Sequence, residues 1–225
     1  MATIYQAKKP VTANDISNVF PKVHPKVGIA KKSENLNGFV ATYNDYADYF
    51  AIDTVLEVAH FFAQVGHECD QFNAFSEYAD GSAYEGRKDL GNTQPGDGPR
   101  FKGHGALQTT GRINHQKANV ELLKLPFLTT EEKALFANEG LLRNPLLLTI
   151  PKWAALSAMI YWINKDLNSL CVPDDQQVTI KRYDGTKWYN YTCSPIEGIT
   201  RKINGGINGL EERKLLYQKM RSIIR

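Results

Sequence analysis

Apolar residues recur at helical spacing along most of the chain, and short polar motifs mark where several helices begin. Thr54 and Glu57 have the spacing of a capping box, in which each side chain bonds the backbone N–H of the other residue. They predict a helix over residues 55–67, with one apolar face formed by Val55, Leu56, Ala59, Phe62 and Ala63. Thr129 and Glu132 predict a second helix, which ends before residues 144–145.

Three further helices are predicted in the last third of the chain. Pro151 suits the first turn of a helix that reaches about Asn168. Its expected buried positions are Trp153, Leu156, Ile160, Ile163 and Leu167. Residues 194–197 open a short helix that stops at residues 205–206. Asn208 and Glu211 predict the start of the last helix, whose expected inward positions are Leu215, Leu216, Met220 and Ile223. The pattern predicts a mostly α fold.

Two segments depart from the helical pattern. Residues 81–105 carry seven of the 17 glycines, which predicts a long irregular loop. Loops of this length are usually functional or disordered. Residues 176–192 carry two β-type runs around Asp184 and Gly185, which predicts an inserted β-hairpin. Because no linker or repeat divides the chain, we expect a single domain over residues 1–225.

Composition narrows the functional classes. With 42% hydrophobic and 23% charged residues, the chain has the composition of a globular protein, which argues against disorder, collagen-like repeats and coiled coil. No apolar run is long enough for a membrane span, so membrane insertion is not expected. A net charge of +3 gives no indication of nucleic-acid binding, although it is compatible with an anionic polymer as partner.

The first ten residues and the cysteines bear on localisation. Residues 1–10 lack the apolar core and cleavage site of a secretory signal, so we expect synthesis in the cytoplasm and export by another route. Cys69, Cys171 and Cys193 form no CxxC pair, which argues against a zinc ribbon or a disulfide framework. Pairing of Cys171 with Cys193 after export stays open at this point.

Two glutamates are candidates for acid and base chemistry. Glu68 falls where the apolar helix ends, so its carboxyl should lie at the edge of the core, an environment that raises a carboxyl pKa. Glu77 follows among polar residues, where a carboxylate stays ionised. Such a pair is what cleavage of a glycosidic bond requires, because one carboxyl protonates the leaving oxygen and the other activates water or attacks carbon. Spacing alone leaves open that both are solvated surface charges.

Other catalytic patterns are not supported. His60, His67 and Glu68 do not form a zinc-protease HExxH motif, because position 71 is Gln71. Cys69 is better explained as a small buried residue than as a nucleophile. The glycine-rich loop contains no phosphate-binding motif, so phosphate binding has no support. No metal or other cofactor is expected.

Four motifs, in order along residues 50–217, resemble glycoside hydrolase family 19, in its short phage-endolysin and bacterial branch. They are residues 64–68 (QVGHE), residues 84–98 with their glycines, residues 103–114 (GHGALQTTGRIN) and residues 203–210 (INGGINGL). The resemblance implies a lysozyme-like helical domain of two lobes around a glycan groove. It also implies hydrolysis of β-1,4 bonds next to N-acetylhexosamines with inversion, for which roughly 6.5–9.5 Å between the carboxyls leaves room for a water.

The resemblance also implies residue roles. Glu68 is the general acid, Glu77 is the general base, and Thr110 helps Glu77 to hold the attacking water. Gln108, Asn114 and Asn204 are substrate-binding amides, which offer donors and acceptors to acetamido and hydroxyl groups. Arg213 lies near the acid, where its charge tunes the carboxyls. Each of these residues also has a structural explanation. Thr110, Gln108 and Asn114 could brace the glycine-rich loop through bonds to nearby backbone. Asn204 could end a helix, and Arg213 could be a solvated surface residue.

Some positions depart from the family pattern or stay ambiguous. His104 stands where relatives usually carry arginine, and Ala106 and Leu107 replace a common apolar pair, which puts fine substrate contacts in doubt. Tyr84 and Trp188 are candidates for stacking on sugar rings, although aromatic residues are more often part of a core. The hairpin at residues 176–192 is absent from many short relatives, and it either extends the groove or binds a partner.

Three functions follow from these features. The favoured one is a monomeric endolysin that hydrolyses peptidoglycan and acts on the cell wall after holin-type release or delivery by a secretion machine. A chitinase would use the same acid and base on chitin oligomers. A non-catalytic glycan-binding protein would keep the groove, but retention of Glu68, Glu77 and Thr110 argues against it.

Overall fold

A computed structural model describes residues 11–224. Residues 1–10, on which the expectation about a secretory signal rests, lie outside this range. The α-helices of the described chain are α1 Ala13–Val19, α2 Gly28–Tyr46, α3 Val55–Glu68, α4 Asp97–Arg100, α5 Arg112–Leu123, α6 Thr130–Phe136, α7 Gly140–Arg143, α8 Pro151–Asn164, α9 Pro195–Asn204 and α10 Leu210–Ile223. Short 3₁₀ turns span Ser82–Tyr84, Lys88–Leu90, Pro145–Thr149 and Asn168–Leu170. The predicted mostly α fold is confirmed.

Helix α3 lies at the centre of the core. Thr54 and Glu57 form the predicted capping box at its start. The helix is apolar on more sides than predicted, since Val58, Phe61 and Val65 are also buried, and it packs against α10 and α9. Helix α2 packs against α8. The aromatic rings between α2, α3 and the turn that follows α3 contact one another: Phe39, Tyr43, Phe61, Phe62 and Phe72.

Two predicted helices end earlier than expected. The helix that begins after the capping box of Thr129 and Glu132 stops at Phe136, because Asn138 and Glu139 adopt positive φ angles before α7 begins. Helix α8 ends at Asn164 instead of Asn168, because Asp166 adopts a φ of 50° and the chain continues as a 3₁₀ turn. Both breaks use left-handed backbone that the apolar pattern does not report.

Three predictions of orientation and capping were wrong. Ile163 and Leu215 are 39% and 50% exposed, so neither belongs to the core. Asn208 does not cap α10, whose preceding residue Gly209 is left-handed and makes no side-chain cap. Instead, the backbone carbonyl of Asn208 accepts hydrogen bonds from Asn204 Nδ2 at 3.1 Å and from Arg213 Nε at 3.3 Å.

The predicted hairpin is confirmed. Strands β1 Val178–Tyr183 and β2 Trp188–Cys193 pair antiparallel around a turn in which Asp184 accepts from the Thr186 and Lys187 backbones. The buried face of the hairpin packs on α9, where a side chain in place of Gly198 would collide with Val178. Cys171 and Cys193 are unpaired, as is Cys69. No helix within residues 11–224 is long and apolar enough to cross a membrane.

Candidate active site

Glu68 is the last residue of α3 and forms an ion pair with Arg213 from α10. Arg213 Nη2 donates to Glu68 Oε1 over 2.5 Å, with 19% of the glutamate side chain and 1% of the arginine side chain exposed. Arg213 Nη1 donates to Gln64 Oε1, and Gln64 Nε2 donates to Thr200 of α9 at 3.1 Å. Glu68 therefore lies at the edge of the core, as predicted, but beside a buried cation instead of in an apolar setting.

A second set of contacts fixes the end of α3 against the start of α10. Glu212 accepts hydrogen bonds from His67 Nδ1 at 2.7 Å and from Gln71 Nε2 at 3.3 Å. Gly209 adopts a φ of +69°, and the His67 ring fills the space that a side chain there would occupy. The two helices meet directly beside Glu68, which limits the positions its side chain can take.

Glu77 lies after α3, where its segment pairs with the loop before α5. The Glu77 N–H donates to the Gly103 carbonyl at 2.8 Å, and the Gly103 N–H donates to Glu77 Oε2 at 3.1 Å. The Tyr84 hydroxyl donates to Glu77 Oε1 at 3.0 Å. Burial, followed by this hydrogen bond to Glu77, raises the pKa of Tyr84, so the phenol remains a donor. Both oxygens of the Glu77 carboxylate thus receive neutral donors.

The glycine-rich segment is ordered, with short helices at Ser82–Tyr84, Lys88–Leu90 and Asp97–Arg100. Glu85 accepts from the Gly96 N–H at 2.8 Å and from the Gly98 N–H at 2.7 Å. Asp97 is buried and ion-paired with Arg112, and the hydrogen bond from Arg112 is the largest cause that lowers the pKa of Asp97. Glu85 and Asp97 thus hold this segment together by accepting these hydrogen bonds.

The turn before α5 and the first turn of α5 carry three predicted residues. Gln108 has a φ of 51°, and its Nε2 donates to the Gly105 carbonyl at 3.0 Å. The Thr110 hydroxyl donates to the Gln108 carbonyl at 2.9 Å, and Asn114 Nδ2 donates to the Thr110 carbonyl at 2.8 Å. The Thr110 hydroxyl makes no hydrogen bond to Glu77 within the described chain, although its oxygen can still accept from a water, as the predicted role requires.

Gln108, Thr110 and Asn114 line one cavity of about 420 Å³, a size typical of ligand sites. Its opposite wall comes from α8 and α9, with Tyr161, Lys165 and Ile203. A neighbouring cavity of about 450 Å³ shares the wall residues Glu121, Ile160 and Asn164 with the first and continues to Tyr49 and Phe50. The two cavities therefore adjoin, and we refer to them together as the groove.

Each catalytic candidate is linked to a wall residue of this groove. Burial, and after it the negative charge of Glu68, raises the pKa of Tyr161 to about 12. Glu77 Oε2 would lie 3.3 Å from a Cβ atom on Gly103, and that Cβ would overlap Gln108 Oε1. The charge of Glu68 thus acts on a residue of the α8 wall, and Glu77 lies close to Gln108 on the other wall. Neither glutamate itself lines the two cavities.

The remaining predicted site residues do not line the groove. Tyr84 supports Glu77 through its hydroxyl. Asn204 is exposed and engaged in its own turn, where its Oδ1 accepts from the Gly206 N–H at 2.8 Å. Arg213 is buried beneath Glu68, so it acts on the carboxyl and is shielded from a ligand. Trp188 lies on the hairpin and is 68% exposed, which excludes the core alternative for this residue.

His104, which departs from the family pattern, is buried behind the groove. Its Nδ1 lies 3.1 Å from His115 Nε2, and His115 Nδ1 lies 2.9 Å from the Gly111 carbonyl. Burial lowers the pKa of both imidazoles to about 4. The backbone of His104 forms bridges to Ser76 and Thr109, and so joins the segment of Glu77 to that of Thr110. His104 therefore has a structural role, in which it holds these two segments together.

Sequence reasoning missed several residues that shape the site. Gln64 binds Arg213 and is itself bound to Thr200. The pKa of Tyr161 responds to the charge of Glu68, and Glu85 organises the glycine-rich segment. Gln64 could have been recognised from the sequence, because a polar residue within the apolar run of α3 needs a buried hydrogen-bond partner. Cys69 is buried as expected, and burial raises the pKa of its thiol. Residues 11–224 contain no cluster of side chains suited to hold a metal ion.

Comparisons with known proteins give a consistent result for the fold. The chain has the fold of family 19 chitinases. It is similar to chitinase C from Streptomyces griseus, with a TM-score of 0.52, 18% identity and coverage of 96% of this chain and 77% of that chain. It is also similar to a bacterial family 19 chitinase, with a TM-score of 0.50, 17% identity and coverage of 95% and 94%.

The sequence comparison agrees. Over 143 residues the chain is 23% identical to a glycosyl hydrolase family 19 domain-containing protein of Haemophilus influenzae, which covers 61% of this chain and 49% of the relative. The chain thus spans about half the length of that curated relative. No family model matches the chain. The predicted resemblance to glycoside hydrolase family 19 is confirmed.

Proposed function

We propose that this chain is a glycoside hydrolase that cleaves β-1,4 bonds next to N-acetylhexosamines in peptidoglycan. The observation that carries the proposal is a pair of carboxylates with contrasting partners, each linked to a side chain that lines the groove. Glu68 is bound by a buried cation, and Glu77 is bound by a phenol and a backbone N–H. Two adjoining cavities suit a polymer, and the similarity to family 19 chitinases supports a polysaccharide.

The proposed reaction is a single displacement with inversion. Glu77 takes a proton from a water as that water attacks the anomeric carbon, and Glu68 gives a proton to the leaving oxygen. Glu68 Oε1 is occupied by Arg213, while Oε2 receives no hydrogen bond from residues 11–224 and is free to carry that proton. Thr110 accepts from the same water, and its own hydrogen is already committed to the Gln108 carbonyl.

The groove favours a glycan that carries both amides and negative charges. Gln108 and Asn114 offer amide groups that complement acetamido and hydroxyl groups. Lys117 and Lys165 belong to the same walls and complement carboxylates of peptidoglycan, against the single acid Glu121. The net charge of +3 adds a weak attraction to an anionic wall, which salt screens.

We further propose that the chain acts on the cell wall as a monomeric endolysin, released through a holin-type lesion or delivered by a secretion machine. Chitin oligomers are the second candidate substrate, since the similar solved structures are described as chitinases. Turnover of purified peptidoglycan compared with chitin oligomers distinguishes the two. Mass spectrometry of the new reducing ends in digested peptidoglycan then identifies the bond that is cut.

The mechanism is tested by two amide variants. Glu68→Gln removes the proton donor and should abolish turnover while glycan binding is retained. Glu77→Gln should also abolish turnover, with partial rescue by azide, a small anion that can attack the anomeric carbon without a base. Glu211→Gln is the matched control, because Glu211 is exposed on α10 and pairs only with Lys214 among the described residues. Unchanged turnover of Glu68→Gln would show that the acid is misassigned.

A further inference from the structure

The two faces of the β1–β2 hairpin differ completely in burial. Val178, Ile180 and Cys193 are buried on the face that packs against α9. The opposite face, here called the outer face, consists of three cross-strand pairs that are all exposed: Thr179 with Thr192, Lys181 with Asn190, and Tyr183 with Trp188. This alternation leaves one complete face of the sheet without a partner within residues 11–224.

An aromatic pair dominates the outer face. Trp188 is 68% exposed and Tyr183 is 52% exposed, and their ring centroids lie 5.4 Å apart with a tilt of 43°. Cross-strand aromatic contact explains why the rings stay together, but it does not explain why both remain open to water. Together the two rings form an apolar platform with polar neighbours along the same face.

The neighbours supply hydrogen-bonding groups. Asn190 and Lys181 are opposite each other one pair further along, and the hydroxyls of Thr179 and Thr192 lie 3.1 Å apart beyond them. A pyranose ring has an apolar C–H face and a rim of hydroxyl and acetamido groups. Aromatic rings beside an amide, hydroxyls and an ammonium group match both parts of such a ring.

The charge of the hairpin favours an anionic ligand. Residues 178–193 contain Lys181, Arg182 and Lys187 but one acid, Asp184. Asp184 is engaged in the turn, where it accepts from the Thr186 hydroxyl and from two backbone N–H groups. Lys181 and Lys187 form no ion pair with any described residue. The ammonium groups are thus available to carboxylates of a ligand.

The same features argue against a lipid surface as the occupant. An element that inserts into a bilayer interface presents large apolar side chains at its leading edge. The tip of this hairpin is Asp184, Gly185, Thr186 and Lys187, and its outer face carries no aliphatic residue. A polymer that lies flat across the face fits this distribution better.

We propose that the outer face of the hairpin is a second glycan-binding surface, which holds a strand of peptidoglycan away from the groove. Its ligand class rests on the proposed function. Trp188 and Tyr183 stack on a sugar ring, while Lys181 pairs with a carboxylate of the same strand. The hairpin packs on α9, and α9 reaches the groove wall at Ile203, so both surfaces belong to one connected part of the molecule.

The test measures binding of the full chain to purified, insoluble peptidoglycan by co-sedimentation, in a Glu68→Gln background that prevents digestion. Trp188→Ala should weaken binding by about five- to tenfold, the scale of one lost stacking contact. Lys181→Ala should weaken binding and also reduce its dependence on NaCl. Trp188→Tyr keeps a ring and should bind nearly as well as the parent. Leu215→Ala, which removes a side chain that is 50% exposed on α10, is the matched control.

Three results would overturn the proposal. The first is unchanged peptidoglycan binding in both Trp188→Ala and Lys181→Ala. The second is an equal loss in Leu215→Ala. The third is a Trp188-dependent affinity for vesicles of phosphatidylglycerol and phosphatidylcholine with unchanged affinity for peptidoglycan. Because Trp188→Tyr and Lys181→Ala preserve the strand pairing, a loosened hairpin in Trp188→Ala does not decide the result. Absence of wild-type turnover would contradict the proposed function alone, since binding is measured separately.

Discussion

Arg213 donates to both Glu68 and Gln64 from a position that is 1% exposed, and so joins the candidate acid to the interior of the protein. Arg213→Met should therefore lower the free energy of unfolding by about 3–5 kcal/mol, because it leaves partly buried polar groups without their cation. Glu68→Gln should cost only about 1–2 kcal/mol, since the amide oxygen still accepts from the guanidinium.

Urea unfolding of the two variants measures this difference. The Glu68→Gln/Arg213→Met double variant should be about as stable as Arg213→Met alone, because the arginine is already missing. Equal losses in the two single variants would mean that the ion pair contributes nothing specific to stability.

Tyr84 and Glu77 give a prediction about turnover. Tyr84→Phe removes the donor to Glu77 Oε1 and keeps the ring, so turnover should fall by about two- to tenfold while the fold is kept. Tyr78→Phe is the matched control, because Tyr78 is an exposed tyrosine whose hydroxyl donates to Asp70 at 2.9 Å. Initial rates on soluble glycan fragments compare the two variants, and an equal decrease would contradict a particular role for Tyr84.

Gly103 gives a prediction about crowding. A Cβ atom there would overlap Gln108 Oε1 and lie 3.3 Å from Glu77 Oε2. Because the overlapping atom is the end of a flexible side chain, Gly103→Ala should fold but displace Gln108 and lower turnover by about tenfold. In a Gln108→Ala background the same substitution should have a much smaller further effect. A full further loss in that background would mean that the backbone, and not Gln108, is disturbed.

Buried histidines give a prediction about pH. Burial lowers the pKa to about 3 for His60 and to about 4 for His104 and His115. In the unfolded chain the pKa of a histidine is about 6.5, so the unfolded state binds more protons between these values. Stability should therefore fall as the pH decreases from about 6.5 toward 4, by about 2 kcal/mol for each histidine at pH 5.

His60→Phe isolates one part of this effect. The His60 ring stacks on Tyr217 at 4.0 Å, and neither ring nitrogen has a partner among the described residues. A phenyl ring fills the same space without polar atoms, so the variant should be about 1–3 kcal/mol more stable at pH 7. It should also lose less stability than the wild type between pH 7 and pH 5. Urea unfolding of both proteins at pH 7 and pH 5 measures this difference. An identical loss of stability in the two proteins would contradict the contribution assigned to His60.

Local features of the fold were predictable from sequence because they depend on neighbouring residues. The capping boxes at Thr54 and Thr129 and the turn at Asp184 use contacts within a few positions, and all three form as predicted. The break after Phe136 depends on left-handed backbone at Asn138 and Glu139, which amphipathic spacing does not encode. Leu215 was wrongly predicted to be buried, because helical spacing identifies the apolar face of α10 but not how much of that face a neighbouring element covers.

For the candidate site, the motifs indicated Glu68 and Glu77, and the resemblance to the family added Arg213 as a neighbour of the acid. The apolar setting that the helix pattern predicted for Glu68 was wrong, because Arg213 is brought beside it from 145 positions away. Gln108, Thr110 and Asn114 are close in sequence, and their grouping along one wall follows directly. Tyr161 on the other wall is brought there by the packing of α8 alone.

The carboxylate of Glu85 stabilises one shape of the glycine-rich segment. It holds Gly96 and Gly98 by their N–H groups, and a side chain in place of Gly98 would meet the Glu85 backbone at 2.5 Å. The shape of the glycine-rich segment is therefore fixed by its own hydrogen bonds, and any ligand that contacts it meets a preorganised surface. Little conformational entropy remains to be lost on association, so affinity at this side of the molecule depends on fit and not on induced closure.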